Sequence, residues 1–171
     1  MSLLILYAIY YIKKCYLLYS KMSKDGLKLK TLTVNYSDTN ENNFAIELWK
    51  ILKDDFKIVV IDNVYSNVDY KIINKKTNNV MYLELKCRDI KYSTCDSFIM
   101  GKTKIENIKS KSLMPCILVW KFDELIYFKK YSVDLLKYKT FTIQKSKIIY
   151  ISKTDCESGI ENLTELIKTI N

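Results

Sequence analysis

Glu84 and Lys86 lie two residues apart in an otherwise apolar stretch, and both carry groups that can do chemistry. Side chains at i and i+2 of a β-strand share one face, about 6.6 Å apart, because each residue advances the strand by about 3.3 Å. A carboxylate at this spacing from an ammonium group suits a metal ligand beside a residue that handles a proton or stabilises charge. The pair therefore predicts a metal-assisted site on one face of a strand.

Asp69 precedes Glu84 by fifteen positions and is the acid that could join it. A polar cluster at 74–79 separates two apolar, alternating runs, a pattern that predicts strand, hairpin and strand. Asp69 would then lie on the neighbouring strand, within reach of Glu84.

Composition limits the classes of protein to consider. The 171 residues are enough for one domain with a real core, which we place at 23–171. The net charge of +9, from 28 basic and 19 acidic residues, favours polyanions such as nucleic acid. Arg88 is the single arginine, and the abundance of Lys, Asn, Ile and Tyr is typical of an AT-rich genome, so charge alone is weak support for binding.

The chain contains no histidine. This excludes histidine general acid/base catalysis, Ser-His and Cys-His nucleophilic pairs and the usual histidine-dependent nucleases. The five cysteines include no C-x-x-C pair, which argues against zinc. Their odd number and wide spacing predict an intracellular, reducing compartment, without distinguishing cytoplasm, nucleus or viral factory.

An apolar run at 3–12 is about half the length of roughly 20 residues that a bilayer span needs. Lys13 and Lys14 follow the run, whereas a secretory signal carries its charge before it, so we expect neither an export signal nor an integral membrane span. We interpret 1–22 as an apolar N-terminal helix or extension. It could pack on the domain or on a partner, precede a true start at Met22, or act as a peripheral anchor.

Helical periodicity predicts a helix at 41–54, capped by Asp38 or Thr39. Glu41 projects into the apolar stripe of this helix and therefore needs a partner. The stripe consists of Phe44, Ala45, Leu48, Ile51 and Leu52.

Hydrophobic periodicity and the positions of helix-breaking residues predict the remaining elements. We predict a buried strand at 56–61, then the Asp69 strand and the Glu84 strand. A helix is predicted at 98–113, and Pro115 begins a strand at 116–120. Strands at 125–128 and 147–151 and a closing helix at 160–170 complete the chain.

This order of elements and these residues resemble the PD-(D/E)xK superfamily of restriction-endonuclease-like nucleases, and among them most of all the archaeal-type Holliday-junction resolvases. Asp69 in the sequence Val-Asp-Tyr matches the first motif with valine in place of proline, and 84–86 matches the (D/E)xK motif. The match spans 41–120, about half of the chain. The resemblance implies an α/β fold with a mixed central sheet flanked by helices and an αβββαβ core, to which this chain adds an N-terminal helix.

By this resemblance, Asp69 and Glu84 would be catalytic metal ligands for Mg²⁺ or Mn²⁺, with the Leu85 carbonyl as a further ligand. Lys86 would position the attacking water or help to deprotonate it. Glu41 corresponds to the acid that many members carry on the preceding helix, where it supports catalysis and metal binding.

Four further residues are candidates for contact with nucleic acid. Lys102 and Lys104 would occupy positions where members place phosphate-contacting residues. Tyr82 and Arg88 share the face of Glu84 and Lys86 in an unbroken strand, from which they could contact DNA; they could equally be a strand-filling aromatic and a solvated charge.

The expected function is a divalent-metal-dependent DNA endonuclease, with junction-resolving, restriction and homing activities left open. Two strands must be cut, so a homodimer is expected, with the N-terminal or the C-terminal helix as its interface. The alternative is a catalytically inactive nuclease-like module that binds DNA or serves assembly. A third hypothesis makes 3–18 the functional element of a membrane-associated or partner-binding protein.

The candidate residues also have purely structural interpretations. Glu84 and Lys86 could form a solvated strand face, with Glu84 paired across the hairpin to Lys71. Glu41 could be a first-turn acid favoured by the helix dipole.

Overall fold

The structure, a computed structural model, describes residues 36–61, 66–88, 95–122 and 125–170. The predicted apolar segment at 1–22 and most of the linker after it lie outside these ranges. The helices are α1 (Tyr36–Leu52), α2 (Lys102–Ser110) and α3 (Ile160–Ile170), with short 3-10 turns at Val133–Lys137 and Lys153–Asp155. The strands are β1 (Phe56–Val60), β2 (Tyr70–Asn74), β3 (Val80–Cys87), β4 (Ser97–Gly101), β5 (Cys116–Lys121), β6 (Ile126–Lys130), β7 (Thr140–Ile143), β8 (Ser146–Ser152) and β9 (Glu157–Ser158).

A six-stranded mixed sheet forms the centre of the fold, in the order β1-β2-β3-β5-β6-β9. Its neighbours are antiparallel except β3 and β5, which run parallel and are joined through β4 and α2. A parallel pair needs a crossover of a dozen or more residues, and this segment supplies it. The predicted α/β class and the αβββαβ order are confirmed, with β4 inserted before the second helix.

The two faces of the central sheet are covered differently. The apolar stripe of α1 and the buried side of α3 pack on one face, against Leu83 and Leu85 of β3. On the other face, α2 and a second sheet of order β4-β8-β7 pack around Trp120. Because successive side chains of a strand alternate, Glu84 and Lys86 point to the α2 face.

The helix predicted at 98–113 is wrong in its first part. Residues 97–101 form β4, in which Phe98 and Met100 are buried and Ile99 is half-buried. β4 pairs with β8, so a tertiary partner decides the conformation of a stretch whose apolar pattern suits either element. The helix starts only at Lys102 and buries Ile105 and Ile108.

The first helix was predicted in the right place with the wrong start. It begins at Tyr36, so Asp38 and Thr39 lie within it and do not cap it. Phe44 and Leu48 are fully buried as predicted, but Ile51 is 44% exposed. At about 100° per residue Ile51 falls just outside the arc that meets the sheet.

The hairpin between β2 and β3 is confirmed. The Asn74 side-chain oxygen accepts hydrogen bonds from the backbone N–H groups of Lys76 and Thr77 at 2.9 and 3.1 Å, and Asn78 adopts a positive φ of 60°. The later strands and α3 also match the prediction, whereas β7 and β9 were not predicted. Among the described helices, none is both long and apolar enough to cross a membrane.

Candidate active site

Glu84 lies in the middle of β3 and is completely buried. β3 has β2 on one side and β5 on the other, and α2 covers the face to which Glu84 points. The alternative of a solvated strand face is therefore wrong for this residue. Lys71 faces Tyr82 across the hairpin, so the cross-strand pair between Lys71 and Glu84 is absent from the register as well.

Asp69 immediately precedes β2, and its carboxylate Oδ2 accepts a hydrogen bond of 2.8 Å from the backbone N–H of Leu85. The register between the two strands ends with Tyr70 opposite Leu83, so the Leu85 N–H lies past the last backbone pair. The Asp69 side chain takes the place of a strand partner there. This contact holds its carboxylate beside the 84–86 segment, although Asp69 lies just before the strand on which the sequence predicted it.

Two lysines contact the buried carboxylate of Glu84. Its Oε1 atom lies 3.1 Å from the Nζ atom of Lys86 and also accepts a hydrogen bond from the Nζ atom of Lys104. The Lys86 side chain is 35% exposed and that of Lys104 is 22% exposed. The second oxygen, Oε2, is buried and has no hydrogen-bond partner among the residues that the structure describes.

Burial and a neighbouring acid change the protonation of this cluster. Desolvation, followed by the negative charge of Asp69, raises the pKa of Glu84 to about 7, although Lys86 and Lys104 both act to lower it. Burial lowers the pKa of Lys86, but the charge of Glu84, its hydrogen bond and the charge of Asp69 outweigh burial and leave that pKa above its ordinary value. Lys86 is therefore a cation at neutral pH, beside an acid that is only partly ionised.

Cys116 lies on β5 close to the two acids, opposite Tyr82 in the β3 register. Burial, and then the charges of Glu84 and Asp69, raise the pKa of its thiol to about 12. A neutral, buried thiol is a poor nucleophile and a poor metal ligand. The site is therefore made of carboxylates and lysines.

Glu41 acts on the same tyrosine as the two acids, because burial, and then the charges of Glu41, Asp69 and Glu84, raise the pKa of Tyr70. Glu41 lies on α1, which packs against the opposite face of the central sheet from Glu84. Its backbone carbonyl accepts a hydrogen bond of 2.8 Å from the Tyr70 hydroxyl. Within the described ranges no group of three or more His, Cys, Asp or Glu side chains could hold a metal ion. A ligand set of Glu41, Asp69 and Glu84 is therefore not formed, and a supporting role for Glu41 stays a prediction.

The four residues predicted to contact nucleic acid lie in different environments. Lys104 points into the site and contacts Glu84. The Arg88 guanidinium donates a hydrogen bond of 3.2 Å to the Ile99 carbonyl, so it ties the end of β3 to β4. Tyr82 is half-buried against the α2 side of the core, and Lys102 is the half-buried first residue of α2.

Two asparagines that the sequence did not single out hold the Asp69 segment in place. Asn67 is 8% exposed, and its side-chain oxygen accepts a hydrogen bond of 3.1 Å from the Asn107 amide on α2. Val68, between Asn67 and Asp69, is buried in the same core as α2. The position of Asn67, two residues before the acid of the first motif, was the available signal.

Comparison with known proteins shows a distant structural likeness. No protein family model and no curated protein matches the chain. Among solved structures, it is similar to a Holliday junction resolvase from the archaeal hyperthermophile Archaeoglobus fulgidus, at 14% identity and a TM-score of 0.43. The match covers 70% of this chain and 86% of the resolvase. No family membership follows from this likeness, and the function is inferred from the side chains of the site.

Proposed function

We propose that the protein is a divalent-metal-dependent nuclease that hydrolyses DNA phosphodiester bonds, with Asp69, Glu84 and Lys86 as its catalytic set. The observation that carries the proposal is that Asp69, which precedes β2, lies beside Glu84 and Lys86 of β3, so that three charged side chains from two stretches of the chain meet. In addition, the buried Glu84 Oε2 atom has no donor within the described ranges.

The oxygen atoms that the site offers as ligands suit a hard cation. A buried carboxylate oxygen without a donor is costly, and a divalent cation would satisfy it. Mg²⁺ prefers oxygen ligands, and Mn²⁺ accepts the same ones. We propose that Asp69, Glu84 and the Leu85 carbonyl would hold the ion. When bound, such an ion lowers the pKa of a water molecule and offsets negative charge on a phosphate.

Lys86 supplies the charge that the two acids cannot. Its ammonium group is held next to Glu84 and remains partly open to solvent, so a phosphate oxygen or a water molecule can reach it. The raised pKa of Lys86 keeps it protonated in the absence of substrate. We propose that Lys86 orients the attacking water and stabilises negative charge that develops on the phosphate. No histidine is required for this chemistry.

One observation favours the second candidate function, an inactive nuclease-like module that binds DNA or serves assembly. Lys104 gives Glu84 a second cationic partner in addition to Lys86. A buried acid with two lysines can be neutralised without any metal. This candidate predicts that the cluster stabilises the fold, binds no Mg²⁺ and cuts nothing.

DNA is the proposed substrate, with the type of DNA left open, and a homodimer would allow both strands to be cut. The domain is proposed to span 23–171. The described cysteines, at positions 87, 95, 116 and 156, are all free thiols, which fits an intracellular, reducing compartment.

A cleavage assay on branched, duplex and single-stranded DNA, with Mg²⁺, Mn²⁺ or EDTA, tests the proposal. We expect metal-dependent cutting that falls by at least about a hundredfold in Lys86→Ala, as is typical when a group that handles protons or charge is lost. Lys57→Ala, an exposed lysine on the edge strand β1, is the matched control and should cut like the parent. Calorimetric titration with Mn²⁺ adds a second measurement, in which Asp69→Asn should weaken binding.

Equal cutting by Lys86→Ala and the parent would contradict the catalytic assignment. A parent that cuts no DNA and binds no Mn²⁺ would favour the inactive module.

A further inference from the structure

The hairpin of β7 and β8 extends beyond the end of β4, where α2 begins. Gly101, the last residue of β4, faces Ile148 of β8, so the residues before Ile148 reach beyond β4. α2 starts immediately after Gly101, and its third residue, Lys104, contacts Glu84. Three residues of strand separate Ile148 from Lys145 at the hairpin tip, which corresponds to about 10 Å. The tip and Glu84 therefore lie near the same end of α2.

One face of this hairpin is turned toward α2. Ile149 and Ile151 are buried in the same core as the inner side of α2. Lys147 shares their face because side chains two residues apart in a strand point the same way. Extending the pairing of Gly101 with Ile148 by one residue brings Lys147 level with the first residue of α2.

The same segment carries a net positive charge. The twenty residues from 135 to 154 include five lysines and no acid. Lys137 forms an ion pair with Asp134, and Lys153 lies over the Tyr127 ring. Residues 139–147, which we call the basic hairpin, contain the other three lysines, at 139, 145 and 147, and each of these is exposed. The first turn of α2 adds two further lysines and no acid.

The turn of the basic hairpin places a lysine where the backbone favours another residue. Ile143 pairs with Ser146, so Gln144 and Lys145 form a two-residue turn, with φ of 45° and 68°. Such turns favour Gly, which has no β-carbon, and Asn, whose short polar side chain tolerates positive φ, whereas longer side chains are strained there. Lys145 thus holds a cation at the tip at some cost in backbone strain.

We infer that the basic hairpin is a docking surface for the DNA backbone beside the candidate active site. The inference rests on the proposed function for the choice of DNA. Lysines that contact phosphates position a duplex without reading its sequence, and they release counterions on binding. The lysines at 145 and 147 lie at the end of α2 where Lys104 meets Glu84, so a strand held by them would pass the site.

A lipid surface is the competing partner, because Phe141 and Ile143 are 38% and 47% exposed. Both lie on the face of the hairpin opposite to Lys147, since Phe141 pairs with Ile148. The Phe141 ring already packs edge-on against Tyr150 and under the Lys139 ammonium group. The lysine nearest the site, Lys147, therefore does not share a face with the exposed apolar side chains, and this arrangement favours DNA over a membrane.

The test is the double variant Lys145→Asn with Lys147→Gln. Asn tolerates the positive φ at the tip, so the variant should fold, which thermal unfolding checks. Its matched control is Lys75→Asn with Lys76→Gln, which removes the same charge from the hairpin between β2 and β3, at the opposite end of β3 from Lys86. Binding to a labelled duplex and to a four-way junction is measured by fluorescence anisotropy in EDTA, so that no cleavage occurs.

Loss of two phosphate contacts should lower the dependence of log affinity on log salt by about 1.8. At about 0.1 M salt this corresponds to a loss of affinity of about tenfold to about sixtyfold. The control variant should change affinity by less than about twofold. Vesicles of phosphatidylserine and phosphatidylcholine in equal parts should show no binding that depends on the basic hairpin.

Three results would overturn the inference: no DNA binding by the parent, equal salt dependence in parent and double variant, or loss of vesicle binding alone. The cleavage assay separates this inference from the proposed function. A parent that binds DNA through the basic hairpin but cuts nothing with any metal supports the inference and refutes the proposed function. A double variant that binds and cuts DNA like the parent refutes the inference and supports the proposed function.

Discussion

Replacing Glu84 with glutamine should remove a pH dependence from the stability of this protein. The pKa of Glu84 is about 7 in the folded chain, against 4.5 for an ordinary glutamate, mainly because burial opposes its ionisation. The folded state therefore binds the proton more tightly than the unfolded state. The stabilising contribution of the protonated acid is fully present below about pH 4.5 and is lost as the pH rises through about 7.

The size of the effect follows from the gap between the two pKa values. Each pKa unit corresponds to about 1.4 kcal/mol, so the gap corresponds to about 3 to 4 kcal/mol in total. Between about pH 5 and about pH 8 the parent should lose about 2 to 3 kcal/mol of its free energy of unfolding through this group. The Glu84→Gln variant has no titrating group at this position and should lose none of it.

Urea unfolding at the two pH values in EDTA measures this difference, with the fluorescence of the buried Trp49 and Trp120 as the signal. Comparing two pH values cancels effects of the substitution that do not depend on pH. The chain has no histidine, which removes the usual source of other titration in this range. The pKa values of the Cys116 and Cys156 thiols are raised to about 12 and about 11, so these two thiols stay neutral.

Glu106→Gln, an exposed acid on α2, is the matched control and should keep the pH dependence of the parent. If the parent and Glu84→Gln lose equal stability between the two pH values, Glu84 is not the buried acid described above. Added Mg²⁺ gives a second check. A cation that binds the ionised acid should stabilise the parent more at about pH 8 than at about pH 5.

Three further predictions concern single contacts. Lys104→Met should tighten Mn²⁺ binding by about tenfold in calorimetry, because an ammonium group on Glu84 repels a cation at the same acid; unchanged or weaker binding would make Lys104 part of the metal site. Arg88→Met should lower the free energy of unfolding by about 2 kcal/mol, since it removes a charged hydrogen bond to a β4 carbonyl. Leu48→Ala should lower the free energy of unfolding by about 2 to 5 kcal/mol, because Leu48 is fully buried. Ile51→Ala should lower it by less than about 0.5 kcal/mol, because Ile51 is largely exposed. Similar urea midpoints for the two variants would contradict the assignment of Leu48 to the buried side of α1 and of Ile51 to its exposed side.

The sequence was sufficient for features that depend on local spacing. Glu84 and Lys86 share a face because strand geometry places i and i+2 together, and the polar residues after Asn74 predict the hairpin. The prediction that Asp69 reaches Glu84 follows from these two facts. The buried apolar stripe of α1 is another feature of this kind, since it depends on period alone.

Other features depend on partners that are distant in the chain. β4 is decided by its pairing with β8, whose residues come about fifty positions later. Without that partner, the three apolar residues Phe98, Ile99 and Met100, followed by helix-forming residues, predict one long helix. The contact between Lys104 and Glu84 depends on where the helix begins. A helix that begins at Lys102 brings its first turn to the acid, whereas the longer predicted helix left the role of Lys104 open.

The location of the site follows from unequal strand lengths in the central sheet. β2 pairs with β3 only as far as Leu83, while β5 continues beside β3 to Cys87. The second half of β3 therefore lacks a backbone partner from β2, and the Asp69 carboxylate accepts the N–H that is left at Leu85. The Asp69 carboxylate, which replaces the missing backbone partner, is thereby brought next to Glu84 at the point where β2 stops pairing with β3. A longer β2 would pair Leu85 with backbone and push Asp69 away, so the short strand creates the two-acid site.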